Sequence, residues 1–169
     1  YDILIIGGGI SACVFASKVL KNNPKVKIAI IEAGRGLGGR SSTRISKRFK
    51  GWKLNHGSPN LNISNMGKGK LIDSFIKDLL KNRFITIDDS SSFELSNNLE
   101  HKIVNNFELN GGNNYISSST MGELSHNIIS LHNSRDQIDF IFKTLIQDLS
   151  FDQNQWILKS KEGKTFYSE

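Results

Sequence analysis

Residues 1–40 read YDILIIGGGISACVFASKVL followed by KNNPKVKIAIIEAGRGLGGR. Ile3 to Ile6 form an unbroken aliphatic run, the pattern of a strand covered on both faces. That run passes directly into Gly7-Gly8-Gly9. From Ile10 to Leu20, Ala12, Phe15, Ala16 and Val19 recur at helical spacing with no proline among them. Asn22-Asn23-Pro24 then stops the helix, and Val26 to Ile31 reads as a second buried strand ending in Glu32. Strand, glycine turn, helix and strand make a βαβ unit. Its turn carries the spacing G-x-G-x-x-A at Gly7, Gly9 and Ala12, the form of a dinucleotide fingerprint.

Each position has a physical reason. Gly7 permits a tight exit from the first strand. Gly9 lets backbone approach a pyrophosphate, where a Cβ would meet phosphate oxygens. Ala12 and Ala16 keep the helix close to the strands. The first helical N–H groups, at Ile10, Ser11 and Ala12, have no partner within the helix and attract anions, by roughly 0.3–1 kcal/mol. Glu32 lies about twenty residues beyond the glycines, where a carboxylate accepts the hydroxyls of an adenosine ribose. Charge-assisted bonds of that kind are worth roughly 1.5–3 kcal/mol each. A carboxylate there also repels a 2′-phosphate, which disfavours NADP.

The run Glu32-Ala33-Gly34-Arg35-Gly36-Leu37-Gly38-Gly39-Arg40-Ser41-Ser42-Thr43-Arg44 resembles the second signature of the FAD-containing amine oxidase superfamily. There an acid ends the second strand and a G-G-R turn follows. The form R-G-x-G-G-R-x-x-T-R is most similar to the renalase-like branch. The resemblance continues at Leu54-Asn55-His56-Gly57-Ser58-Pro59, a segment that approaches the flavin ring in that family. Asn55 stands where the family has an acid, and Pro59 where it has glutamine. Tyr115 and Thr120-Met121-Gly122-Glu123-Leu124 resemble the family's aromatic position and Met-containing helix start.

The resemblance implies an α/β fold: a Rossmann-like FAD/NAD(P)-binding domain with a parallel sheet plus antiparallel β-hairpins. It implies FAD, held by Gly7, Gly9, Ile10, Ser11, Ala12, Glu32, Ala33, Gly38, Gly39, Arg40, Gly57 and, beside the adenine, Ile138. Residues 1–45 carry the βαβ fingerprint and the G-G-R segment. Residues 1–169 as a whole are expected to be the FAD-binding, N-terminal half of a flavoprotein that stops before the last cofactor and substrate contacts. The implied reaction is hydride transfer from an amine or a reduced nicotinamide to flavin, and no catalytic residue is nominated. The alternatives are an NAD-binding dehydrogenase domain and a catalytically silent nucleotide-binding fragment.

Composition bounds the rest. A chain of 169 residues suffices for one domain with a substantial core. No apolar run is long enough to span a bilayer. The single cysteine, Cys13, precludes an internal disulfide and reads as a packing residue, and a cytoplasmic location is expected. The four histidines, His56, His101, His126 and His132, lack metal-ligand spacing, so no metal is expected. The net charge of +6 concentrates in Lys47-Arg48-Phe49-Lys50-Gly51-Trp52-Lys53, with Lys68 and Lys70 nearby. A basic loop with interleaved aromatics suits an anionic polymer, but the simpler reading is a solvated rim that steers an anionic dinucleotide. No nucleic-acid partner is expected.

Further along, an amphipathic helix is predicted over Lys70 to Asn82, with Leu71, Phe75 and Leu79 on its packed side, flanked by Ile72, Ile76 and Leu80. A short strand follows from Phe84 to Ile87, and a turn over Asp88 to Ser92. Phe107–Leu109 and Tyr115-Ile116 suggest a hairpin across Asn110-Gly111-Gly112-Asn113. Thr120 to Glu123 fits a capping box for a helix burying Met121, Leu124, Ile128 and Leu131. Ile138, Phe140, Phe142 and Ile146 alternate as one strand, and Gln155–Leu158 forms another. Glu162-Gly163-Lys164 turns the chain into Phe166-Tyr167.

Overall fold

The computed structural model describes residues 1–64, 69–95, 101–105, 111–131 and 135–168. It begins with β1 (Ile3–Ile6), α1 (Ile10–Asn22) and β2 (Ile28–Ile31). A G-G-R 3₁₀ turn (Gly39–Ser41) leads to the β3 (Thr43–Ile45) and β4 (Lys53–Asn55) hairpin. Then come β5 (Leu61–Ser64), α2 (Lys70–Lys81), β6 (Ile85–Ile87), β7 (Ser91–Leu95), β8 (His101–Asn105) and β9 (Gly112–Ser117). The last elements are α3 (Met121–Ser130), β10 (Ile138–Ile141), β11 (Ile146–Asp152), β12 (Gln155–Ser160) and β13 (Thr165–Ser168).

The sheet that positions the site has three parallel strands in the order β1-β2-β10. Ile3 and Ile138 both pair with Ile28, so the carboxyl ends of all three strands lie at one edge. Central β2 is buried along its whole length. β1 is less covered than its aliphatic run predicts: among the described strands it has β2 on one side only, and Ile6 is 54% exposed. Helices α1 and α3 pack on each other and on this sheet. Cys13, Ala16 and Leu20 of α1 meet Met121, Leu124, Ile128 and Ile129 of α3 in one core with Ile28, Ile30 and Ile138. Each fully buried aliphatic side chain of this kind stabilises the fold by roughly 1.5–3 kcal/mol.

Among the described residues four antiparallel units accompany this layer: the β3–β4 hairpin, β5-β9-β6, the β7–β8 hairpin and β11-β12-β13. The Phe107–Leu109 half of the expected hairpin lies outside the described residues. Tyr115 and Ile116 belong instead to β9, which pairs with β5 and β6. The expected turn over Asp88 to Ser92 is shorter, because β7 already starts at Ser91. Helix α2 matches its predicted span, but Leu71 is 87% exposed; Ile76 and Leu79 carry the packing. The alternating run Ile138 to Ile146 is two strands, not one. Lys143 takes a left-handed φ of 55°, and its N–H donates to Gly34 O at 2.8 Å while Thr144 N–H donates to Glu32 O at 3.1 Å. The chain is thereby turned towards the tip of β2 before β11 joins a different sheet. Among the described residues no helix is long and apolar enough to cross a membrane.

Cys13 is fully buried against the turn that follows β1, with Sγ 4.0 Å from Gly8 O. Burial pushes its thiol up from 9.0 to about 11, partly offset by Ser125. Above pH 9 the unfolded chain releases this proton while the folded chain keeps it. The contribution is therefore complete below pH 9 and fades as pH rises through about 11. Denaturant titrations of wild type and Cys13→Ala should diverge over that window, wild type losing up to about 2–3 kcal/mol more. Parallel pH curves would contradict the burial.

Candidate functional site

The site forms where the carboxyl ends of β1 and β2 meet. Gly7 leaves β1 at φ 94°, a left-handed conformation that side chains rarely adopt, and its N–H donates to Ile31 O at 2.8 Å. Glu32, at the tip of β2, folds back across the turn. Its Oε2 accepts the Gly8 N–H and its Oε1 accepts the Gly34 N–H, both at 2.6 Å. One carboxylate thus joins the turn after β1 to the turn after β2. Each oxygen retains a second lone pair for an incoming hydroxyl.

The G-G-R turn docks on the same place. Gly38 N–H donates to Gly8 O at 2.8 Å, and Gly38 forms a parallel bridge with Gly9. A Cβ at Gly39 would stand 3.2 Å from Gly9 Cα. Leu37 is buried beneath the turn, whereas the Arg40 side chain is exposed. A Cβ at Gly57 would collide with the Arg40 carbonyl oxygen, which also accepts Ser58 N–H at 2.7 Å. The structure therefore gathers Gly7, Gly9, Glu32, Ala33, Gly38, Gly39, Arg40 and Gly57 at one edge of the sheet.

Helix α1 opens at Gly9 with neither a side-chain cap nor an acid in its first turn. Its first rung is Cys13 N–H to Gly9 O at 3.1 Å, which leaves the N–H groups of Ser11 and Ala12 without an intrahelical acceptor. A Cβ added at Gly9 would meet nothing within 4 Å. Open space lies over a helix N-terminus beside a carboxylate, and these residues fit a pyrophosphate with an adjoining ribose. Ile138 does not join them. It is a buried residue at the amino end of β10, opposite Ile28, about 10 Å of strand away from the turn. At the site end, β10 contributes the Ile141 carbonyl, which accepts Glu32 N–H at 2.9 Å.

Asn55, in the segment expected near a flavin ring, has a different set of contacts. Its Oδ1 accepts the Thr43 hydroxyl at 2.6 Å and the Met121 N–H at 3.2 Å. Thr43 Oγ1 in turn accepts Gly122 N–H at 2.9 Å, and Thr120 Oγ1 accepts Glu123 N–H at 3.2 Å. Three first-turn N–H groups of α3 are thus satisfied, two of them by the β3–β4 hairpin. Sequence reasoning foresaw the Thr120 cap and missed the Thr43–Asn55 pair, which has no local sequence signal. Glu123 is held below the usual carboxylate range by hydrogen bonding from Ser119, then Lys53, whose Nζ lies 3.2 Å away. His56 is exposed beside this network. Among the described residues no three His, Cys, Asp or Glu side chains cluster as metal ligands do.

Comparison with known proteins bears on the fold. Residues 5–79 match the family model of an NAD(P)-binding Rossmann-like domain. The fold is Rossmann-like. The chain superposes over 98% of its length on the proposed protoporphyrinogen oxidase of Exiguobacterium sp. 255-15, with a TM-score of 0.64 at 14% identity. Similar structures include tetracycline destructase Tet(51), with 0.60 at 14% identity over 98% of the chain. The Diels-Alderase PyrE3 of pyrroindomycin biosynthesis gives 0.55 at 10% identity over 99%. The chain spans 57%, 36% and 31% of those three proteins respectively. No curated protein matches it in sequence.

The Asn55 network yields a stability prediction. Asn55→Ala removes the acceptor for a hydroxyl and a helix N–H, and should lower the unfolding free energy by about 1–3 kcal/mol in urea titrations. Asn55→Asp, which keeps both acceptor contacts and adds a negative charge at a helix N-terminus, should retain most of it. Equal losses in both variants would contradict the assignment.

Proposed function

We propose that residues 1–169 act as the FAD-binding Rossmann-like domain of a flavin oxidoreductase. The observation that carries this reading is the docking of the G-G-R turn on the glycine turn, with Glu32 bridging Gly8 and Gly34 beside the open N-terminus of α1. The Ser11 and Ala12 N–H groups would hold the pyrophosphate, and Glu32 the adenosine ribose. Gly38, Gly39 and Arg40 would line the path towards the flavin, with the Arg40 guanidinium as a donor fork for phosphate or ribityl oxygens. Ala33 and Gly57 would close the flanks. The bound flavin would supply hydride acceptance, and the protein would supply binding, orientation and electrostatics.

The likeness to the amine oxidase and renalase-like flavoproteins offers two donors, an amine or a reduced nicotinamide. Charge favours the second. From Ala33 to Ile72 the chain holds nine Lys and Arg and no Asp or Glu, so a cationic amine meets no carboxylate there while the phosphates of a nicotinamide dinucleotide meet cations. A second reading, an NAD-binding dehydrogenase domain, is supported by the description of the matching family model. The two differ in colour: the first requires a yellow protein.

Flavin fluorescence titration of the apoprotein tests the reading. Wild type should bind FAD, and Gly9→Val should abolish binding while leaving the unfolding midpoint unchanged, since the added side chain enters open space. Glu32→Ala should weaken binding by about 2–4 kcal/mol, the worth of one or two charged hydrogen bonds. A colourless protein that takes NAD but no FAD would overturn the flavin assignment, and undiminished affinity in Gly9→Val would overturn the site.

A further inference from the structure

The β3–β4 hairpin presents a surface that the cofactor reading does not use. Phe49 at 54% exposure and Trp52 at 71% stand in water at its tip. Below them Ile45 at 66% and Leu54 at 65% lie on its opposite faces, since Ile45 pairs with Lys53 and Leu54 with Arg44. Soluble surfaces seldom gather such residues without a partner. Lys47, Arg48 and Lys50, all exposed, lie between the two aromatics and Ile45, in the long stretch without a carboxylate. Lys53 is paired with Glu123; among the described residues no carboxylate pairs with the three tip cations.

The tip is built rather than loose. Phe49 N–H donates to Ser46 Oγ at 2.9 Å, Ser46 N–H to Trp52 O at 2.9 Å, and Trp52 N–H to Phe49 O at 3.2 Å. The Phe49 and Trp52 rings lie 5.6 Å apart, and the Arg48 guanidinium sits 5.4 Å from the Phe49 ring centre. At the other end, Thr43 and Asn55 fasten the hairpin to the first turn of α3. A fixed arm thus carries two aromatics and three cations on a loop braced by the N–H groups of Ser46, Phe49 and Trp52.

We propose that this hairpin docks the protein on an anionic lipid bilayer. Phe49 and Trp52 enter the interfacial zone, where aromatic rings reside preferentially, while Lys47, Arg48 and Lys50 meet acidic headgroups. The aliphatic Ile45 and Leu54 decide against a nucleic-acid strand, because they offer no stacking surface for bases. The docking is peripheral and adds no spanning segment.

The test is co-sedimentation of the full chain with phosphatidylcholine vesicles, with and without phosphatidylserine. Binding should require phosphatidylserine and decline with salt. The triple variant Lys47→Glu, Arg48→Glu, Lys50→Glu should bind on the order of a hundredfold more weakly, each cation near such a surface being worth about fivefold. Phe49→Ser with Trp52→Ser, both at exposed positions, should bind at least about tenfold more weakly with an unchanged unfolding midpoint. In a Trp156→Phe background, the Trp52 emission should shift to the blue on phosphatidylserine vesicles. Three results would each overturn the proposal: no sedimentation with phosphatidylserine, sedimentation indifferent to both variants, or capture of single-stranded RNA by the tip cations without vesicle binding.

Discussion

The structure turns on a single carboxylate. Glu32 receives the N–H of Gly8 from the turn after β1 and the N–H of Gly34 from the turn after β2. Its own backbone N–H goes to Ile141 of β10, and its carbonyl receives Thr144. The carboxyl ends of three parallel strands therefore converge on one residue. Charge-assisted bonds to backbone donors are among the stronger polar contacts available to a protein. They hold the glycine turn in place while leaving the N–H groups of Ser11 and Ala12 open.

A second set of polar contacts extends that order outward. The G-G-R turn rests on Gly8 and Gly9, and the segment through Gly57 rests on Arg40 closely enough to exclude any Cβ. Thr43 and Asn55 then carry the hairpin to α3, whose buried face returns to α1 and β2. The polar edge and the apolar core are thus one connected construction. Core packing sets the distance between the helices and the sheet, and the edge contacts set the aim of the turns. Asn55 illustrates the division: a neutral amide serves two donors there.

Much of this was legible in the chain. The aliphatic run of β2 and the helical spacing of α1 are local, period-determined signals, and the interval from Gly9 to Glu32 follows from their lengths. The Thr120 cap and the turn at Gly163 are likewise local. What escaped depends on three-dimensional neighbours. Nothing near Lys143 announces a turn, because a lysine rather than a glycine takes the left-handed conformation. The partners of Glu32 and Asn55 are chosen by proximity across the fold. Leu71 fits the helical stripe but projects beyond the packed region. Ile138 lies in the expected strand but at its amino end, opposite Ile28, since distance from the turn follows from register rather than from composition.

Amide chemical-shift mapping with FAD tests most directly whether the Glu32-braced turn is a dinucleotide cradle. The account predicts that the signals of Gly8, Gly9, Ser11, Ala12 and Gly34 move together and saturate in one transition, while those of β11–β13 stay fixed. Shifts that spare the turn and cluster elsewhere, with Gly8 and Gly34 unmoved, would contradict it.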